Sequence, residues 1–254
     1  MKPHLGIAIL VLLGGCVTSS NQYLKTVYVD IPLSAFGHRS EEMANEKKTC
    51  EAGPFPDDFP PSRVIIFEDK RPYKIFATGR PVYAFPAYNV VRLYDVKNIA
   101  PERTISRYIK DLKQALNDRR SAKALEQPFT SLPDYPLRNA GHLVQVKVDY
   151  VDFAWGSGVF YLVQFTQGPG NFPDNDELIY TFQGISHDGR LYVAADFRVF
   201  SNLLSKTSTP TSGDDVDEAV TNIGRRLDKE ADSAFSPDLS IIRSWMGAIK
   251  IPKS

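Results

Sequence analysis

The histidines of this sequence are the first side chains to consider for acid–base or metal chemistry. His38, His142 and His187 lie far apart along the chain, and none has a second ligand at the close spacing of a zinc motif. Asp188 follows His187, but an Asp-Gly pair is typical of a hairpin turn, which favours a solvated position. The sequence therefore predicts no metal site and leaves the histidines available only to a site assembled by folding.

Other catalytic patterns are incomplete. Ser157 stands between two glycines, but the spacing is not that of a Gly-x-Ser-x-Gly nucleophile. Asp149 and Asp152 are three residues apart, which on a strand places them on opposite faces unless a bulge intervenes. The acidic stretch 174–177 lacks the glycine and the distant glutamate of a calcium loop, so we interpret it as a solvated connection. We predict no cofactor and no catalytic residue.

Cys16 is the residue whose surroundings indicate a defined chemistry. It ends an apolar run, residues 5–13 followed by two glycines, that has the length of a signal-peptide core. The run is far shorter than the roughly 20 residues of a membrane-spanning helix. Lys2 supplies a positive flank. The run therefore predicts an export signal, and the thiol at its end can accept a lipid.

The pattern Leu13-Gly14-Gly15-Cys16 resembles the lipobox of bacterial lipoprotein precursors, with Gly14 where that family more often has Ala or Ser. The resemblance implies that Cys16 is diacylated, for example with palmitate, that the chain is cut just before it, and that the new amino terminus is acylated. Three acyl chains exceed the two signals needed for stable anchoring. Val17 is not the aspartate that favours inner-membrane retention, so the resemblance implies an outer-membrane anchor that faces the periplasm. The alternative is an ordinary secretory signal with an incidental cysteine.

The chain length predicts one sizeable domain after the signal peptide, residues 1–15. We expect residues 16–25 to form a lipidated polar tether and residues 26–254 a single domain with a proline-rich loop near 37–62. If Cys16 carries lipid, Cys50 has no partner within the chain. Burial of a free thiol is favoured there over a disulfide to another chain.

The charge of the chain is balanced. There are 30 basic and 30 acidic residues, and 43% of the residues are hydrophobic, as in an ordinary globular domain. No overall positive field is present to attract nucleic acid. The composition therefore excludes a nucleic-acid partner and is compatible with a protein or lipid partner.

Hydrophobic periodicity predicts an α+β fold with a mainly antiparallel sheet and helices packed on one face. Helices are predicted over 101–117, 214–234 and 240–246, with two further turns after Ser40. Strands are predicted over 26–31, 63–67, 73–77, 81–96, 142–155, 159–166, 178–187 and 190–200. A bulge is expected near Val151, where the apolar register shifts. In the last strand, Tyr192, Asp196 and Arg198 are predicted to face away from the core.

Aromatic and apolar side chains are concentrated in residues 73–96 and 150–165. Core packing is the simpler interpretation of this concentration. The alternative is an exposed surface or groove that holds a lipid, a glycan or a partner strand. The candidate residues of such a surface are Tyr83, Phe85, Tyr88, Tyr94 and Trp155.

The layout of the chain is also similar to that of auxiliary lipoproteins of lipid-transporting ABC systems, through Tyr23-Leu24 after the cysteine, the strand 144–153 and two of the helices. The hairpin at 178–200 departs from that layout. We expect a non-catalytic envelope lipoprotein that binds another envelope component or assists an assembly. The alternatives are a protein that neutralises a delivered toxin and an envelope hydrolase. A hydrolase would have to bring together residues that are distant in sequence, among them Asp149, Asp152, His142 and His187.

Overall fold

The computed structural model describes residues 19–32, 34, 36, 38–44, 47–48, 58–68, 88–119, 132–136, 138, 140–166, 171–204 and 213–252. Its helices are α1 (Ser19–Thr26), α2 (Thr104–Asp118), α3 (Gly213–Lys229) and α4 (Leu239–Gly247). Its main strands are β1 (Arg39–Ala44), β4 (Ser62–Glu68), β5 (Tyr88–Asp95), β6 (Gly141–Phe153), β7 (Gly156–Thr166), β8 (Ile179–Ser186) and β9 (Leu191–Arg198). Two-residue strands form two separate pairs, β2 (Lys47–Lys48) with β3 (Asp58–Phe59) and β10 (Phe200–Ser201) with β11 (Phe235–Ser236).

The main strands of the described residues form one seven-stranded sheet in the order β1-β4-β5-β9-β8-β7-β6. All of its pairings are antiparallel. The α+β class and the mainly antiparallel sheet are therefore confirmed. β8 and β9 at its centre are buried along their whole length, so both faces of the sheet need a cover.

Helices cover both faces of the sheet, which corrects the prediction that they gather on one. α1, α3 and α4 contribute Leu24, Leu227 and Trp245 to a core on one face. α2 contributes Leu112 to a second core on the opposite face. Side chains of the central strands alternate between the two cores, because successive residues of a strand point to opposite faces. Tyr192, Asp196 and Arg198, which were predicted to face away from the core, are all buried.

Two turns mark one end of the sheet, which we call the hairpin end. One is the turn at Ala154-Trp155 between β6 and β7, and the other is the turn at 187–190 between β8 and β9. The second hairpin was predicted correctly, and Gly189 adopts a φ of 71° there, which glycine tolerates without strain. The first turn was predicted at 156–158. Gly156 and Gly158 instead begin β7.

The edge strand β6 contains two register shifts, between His142 and Val144 and between Val146 and Asp149. The expected bulge is therefore present but lies before Val151, around Lys147, whose φ is 57°. The Lys147 amide donates to Asp228 Oδ1 at 2.8 Å, at the end of α3. The bulge is thus held by a contact between residues 81 positions apart. A local sequence pattern cannot predict such a contact.

The amino-terminal part of the domain differs most from the predictions. α1 occupies residues that were expected to be a tether, and β1 replaces the helix expected after Ser40. The strand expected over 26–31 is reduced to a single bridge between Tyr28 and Lys250. The predictions for residues 1–15, Cys16, Cys50 and the strand 73–77 lie outside the described residues, as do positions 45–46 and 49–57 of the proline-rich loop.

Candidate functional site

The aromatic residues predicted to form a partner surface do not form one in the described part of the chain. Tyr94 is 1% exposed and contacts Tyr135 with ring centroids 5.4 Å apart. Trp155 is 6% exposed, and its indole N–H donates to the Met246 carbonyl at 2.8 Å. Both side chains therefore belong to the cores, as core packing predicted, and the alternative of an exposed surface is wrong for them. Tyr88 lies in β5 but its side chain is outside the description, as are Tyr83 and Phe85.

The helix that follows Cys16 in sequence is packed firmly into the domain. Leu24 of α1 is completely buried in the core on one face of the sheet, where α1 packs on β4 and β5. The Arg63 guanidinium of β4 donates to the carbonyl oxygens of Leu24, at 3.0 Å, and of Val27. A cation that donates to the last carbonyls of a helix also complements the helix dipole. α1 is therefore held by the fold and is not part of a flexible tether.

Arg63 is itself held by a carboxylate. Its Nε donates to Glu41 Oε1 of β1 at 2.6 Å, while its side chain is 8% exposed. This hydrogen bond lowers the pKa of Glu41 below its ordinary value. α1, β1 and β4 thus meet at one charged side chain.

A second contact joins α1 to the hairpin end. The Arg190 guanidinium carbon lies 3.6 Å from the centroid of the Tyr23 ring, a cation–π contact. Arg190 Nε also pairs with Asp95 Oδ1 at 3.2 Å, and the Asp95 side chain is fully buried. This contact was not predicted from the sequence. Tyr23, Leu24 and Val27 have the spacing of a helix face, but three apolar residues in a polar stretch are a weak signal.

His187 and Asp152 do come together at the hairpin end, with Ser157, but not in the order of a catalytic triad. Ser157 Oγ donates to Asp152 Oδ1 at 2.7 Å, and Arg119 donates to both Asp152 oxygens at 2.8 and 2.6 Å. The Arg119 hydrogen bond lowers the pKa of Asp152. His187 Nε2 lies 3.1 Å from the Phe153 carbonyl oxygen. The carboxylate therefore holds the hydroxyl directly, whereas in a triad a histidine stands between the two.

His142 contacts a different carboxylate, at the other end of β6. Its Nε2 lies 3.9 Å from Asp134 Oδ2. Asp134 also pairs with Arg138, so His142 belongs to a group of charged side chains. Arg138 donates to Asp196 Oδ2 at 2.6 Å and lies 4.3 Å over the Phe165 ring. Burial alone would lower the pKa of Arg138, but the carboxylates of Asp196 and Asp134 raise it. These contacts attach the segment 132–138 to the sheet.

Asp149 joins a third group, on the face that α3 and α4 cover. Arg243 of α4 pairs with Asp149 Oδ2 at 3.3 Å and with Asp232, and donates to the Tyr180 hydroxyl at 2.9 Å. Asp149, Asp152 and His142 are therefore engaged in separate groups of charges.

The acidic stretch 174–177 forms a tight turn. Asp174 Oδ1 accepts hydrogen bonds from the amides of Asp176, at 2.8 Å, and Glu177, at 3.1 Å. An Asp side chain that binds the amides following it is a common turn former. Within the described residues, no three His, Cys, Asp or Glu side chains are grouped so that they could hold a metal ion.

No helix in the described part of the chain is both long enough and apolar enough to cross a membrane. No family model matches the chain, and neither a curated protein nor a solved structure shows significant similarity to it.

Proposed function

We propose that this chain is a lipoprotein anchored in the bacterial outer membrane and facing the periplasm, and that its domain is a non-catalytic binding or assembly factor of the cell envelope. The observation that carries the proposal is the apolar run that ends at Leu13-Gly14-Gly15-Cys16. A signal-peptide core of this length, small residues before the cut and a thiol after it are what lipid attachment requires. The acyl chains on Cys16 then supply the membrane affinity.

The position of α1 supports this arrangement. α1 begins at Ser19, three residues after Cys16, and is packed into the domain through Leu24. Cleavage before Cys16 would therefore remove the apolar run and leave α1 and its contacts in place. The proposal gives no residue a catalytic role, and the charged groups around Asp149, Asp152 and His142 serve in it to hold strands and helices together.

The anchor is tested by metabolic labelling with palmitate in a bacterial host. The wild-type chain is expected to incorporate the label and to fractionate with the outer membrane. Cys16→Ser is expected to lose the label, because a hydroxyl does not replace the thiol as the lipid acceptor. Cys50→Ser is the matched control, since it removes the other thiol, and it should label like the wild type. Palmitate incorporation by Cys16→Ser would contradict the proposal.

The binding role is tested on envelopes solubilised in detergent. The lipidated protein is expected to co-purify with a defined protein or lipid of the envelope, and the Cys16→Ser protein, which is not placed at the membrane, to recover less of it. Recovery of no specific component by the lipidated protein would count against a binding or assembly role.

A further inference from the structure

The distance between the lipid anchor and the folded domain limits how the domain can lie at the membrane. Cys16 and Ser19 are separated by three Cα–Cα steps, which span at most about 11 Å. Ser19 is the first residue of α1, and α1 is fixed to the domain through Leu24 and Arg63. The domain therefore cannot move far from the bilayer, and the surface near α1 must be the surface nearest to it.

That surface is at the hairpin end. Tyr23 of α1 contacts Arg190, in the turn between β8 and β9. Arg63, which binds the end of α1, pairs with Leu93 near the carboxyl end of β5. That end of β5 pairs with Leu191, directly after the same turn. β8 has eight residues, so the opposite end of the sheet lies about 26 Å farther away.

Four of the side chains exposed near α1 and the hairpin turn suit a bilayer surface. Tyr28, two residues after α1, is 53% exposed, and the Lys250 ammonium lies 5.7 Å from the centroid of its ring. Lys25 of α1 and His187 in the hairpin turn are also exposed. Tyrosine rings and lysine side chains have apolar bodies and polar tips, which fit the boundary between headgroups and acyl chains.

We propose that the hairpin end, with Lys25, Tyr28, His187 and Lys250, lies directly against the headgroups of the bilayer that holds the acyl chains of Cys16. This proposal rests on the lipid anchor proposed above. It adds an orientation: the hairpin end faces the lipid, and the opposite end, with the segments 171–178 and 199–204, faces the periplasm and is open to partners.

The test compares fluorophores at the two ends of the lipidated full-length protein in liposomes. In a Cys50→Ser background, a label is attached to His187→Cys at the hairpin end and to Asn202→Cys, an exposed turn position at the opposite end. Phospholipids with a nitroxide on the headgroup quench nearby labels. Quenching is expected to be stronger at position 187 than at position 202, and a label on Lys25→Cys should behave like the one at 187. Equal quenching at the two ends would overturn the proposal.

Two further variants separate the effect of distance from that of the exposed surface. A flexible Gly/Ser spacer of about 20 residues between Thr18 and Ser19 should abolish the difference between the two ends, because it frees the domain to rotate and withdraw. A difference that persists in the spacer variant would show that the short connection does not set the orientation, contrary to the proposal. Tyr28→Ser should weaken quenching at position 187. Ile241→Ser removes a second large exposed apolar side chain of the described residues, 48% exposed on α4, and should leave the quenching unchanged.

The palmitate label distinguishes a failure of this inference from a failure of the anchor. A protein that incorporates palmitate and binds the liposomes, but is quenched equally at both ends, contradicts only the orientation. A protein that incorporates no palmitate contradicts the lipoprotein proposal itself.

Discussion

The Arg63 side chain joins three elements that are distant in sequence. Its guanidinium group binds the Leu24 carbonyl of α1, the Val27 carbonyl just after α1 and the carboxylate of Glu41 while remaining 8% exposed. A buried guanidinium is stable only if its donors are satisfied, because the loss of hydration must be offset by hydrogen bonds and an opposite charge. The attachment of the amino-terminal helix therefore depends on the ionised state of Glu41.

This dependence predicts how stability changes with pH. The pKa of Glu41 is lower in the folded protein than its ordinary value, because Arg63 donates to the carboxylate. The stabilisation is therefore fully present above the ordinary value and is lost as the pH falls through the folded value. Glu41→Gln should lower the free energy of unfolding at neutral pH by about 1 kcal/mol, a partly exposed ion pair being screened by water. The difference from wild type should begin to shrink as the pH falls towards the ordinary glutamate value, and should continue to shrink until the carboxylate is protonated in the folded protein as well.

Urea denaturation followed by circular dichroism at several pH values measures this difference. Glu42→Gln is the control, because Glu42 is an exposed neighbour in the same strand. A difference between wild type and Glu41→Gln that stays constant down to the lowest pH would contradict the assigned role of Glu41.

At the scale of elements, the helices, strands and turns that were predicted correctly are those determined by signals within a single segment. The hairpin around Asp188-Gly189, the strand β4 and the helices α2 and α4 follow from turn residues and periodicity within single segments. α1 could not be predicted in this way, because its stability comes from the burial of Leu24 and from Arg63, 39 residues away. Tertiary contacts of this kind routinely override weak helix propensity.

The burial of both faces of the sheet was also not predicted, because one face of the alternating pattern was interpreted as solvated. The alternation in β9 was interpreted as one buried and one solvated face, yet Tyr192 and Ala194 pack in the second core while Val193 packs in the first. Apolar residues on both faces indicate a central strand covered twice. For Tyr94 and Trp155 core packing is confirmed over the alternative of an exposed surface, which a local concentration of aromatic residues had left open because it does not specify a face.

Two buried glycines, one in the pair of β7 with β8 and one in α3, should respond in opposite ways to substitution by alanine. Gly158 faces Gly184 in the register, and a Cβ atom at Gly158 would overlap the Phe182 ring and lie 2.8 Å from the Gln183 carbonyl oxygen. Gly158→Ala should therefore lower the free energy of unfolding by about 2 kcal/mol, as overpacking does in other cores. Gly224→Ala, within α3, would place its Cβ at an ordinary 3.7 Å from Val146 Cγ1. It should raise the stability by about 0.5–1 kcal/mol, because alanine favours the helix.

Both substitutions are measured by urea denaturation against the wild type. They are matched, since each adds one methyl group at a buried glycine. Equal and small effects would mean that the Phe182 ring has room to move, and that the glycines are not required for the close approach of β7 and β8.

At the scale of the whole molecule, one face of the sheet is closed by elements from both ends of the chain. α1 covers this face together with α3 and α4, and the bridge between Tyr28 and Lys250 joins the two ends. The described part of the domain therefore includes α1 in its core, and Ser19 at the start of α1 is close in sequence to the anchor proposed at Cys16. In a domain on a long tether, the first residues would be dispensable for folding.

This closure predicts a sharp boundary for truncation. A variant that begins at Ser19 should unfold cooperatively with the stability of the lipidated protein, because it retains Leu24 and the carbonyls that Arg63 binds. A variant that begins at Val27 should be less stable by at least about 2 kcal/mol, since it loses the burial of one leucine and exposes apolar surface on β4 and β5. Urea denaturation of both variants measures the difference. Equal stability of the two would show that α1 is an appendage, and the domain could then stand away from the membrane on a tether of ten residues.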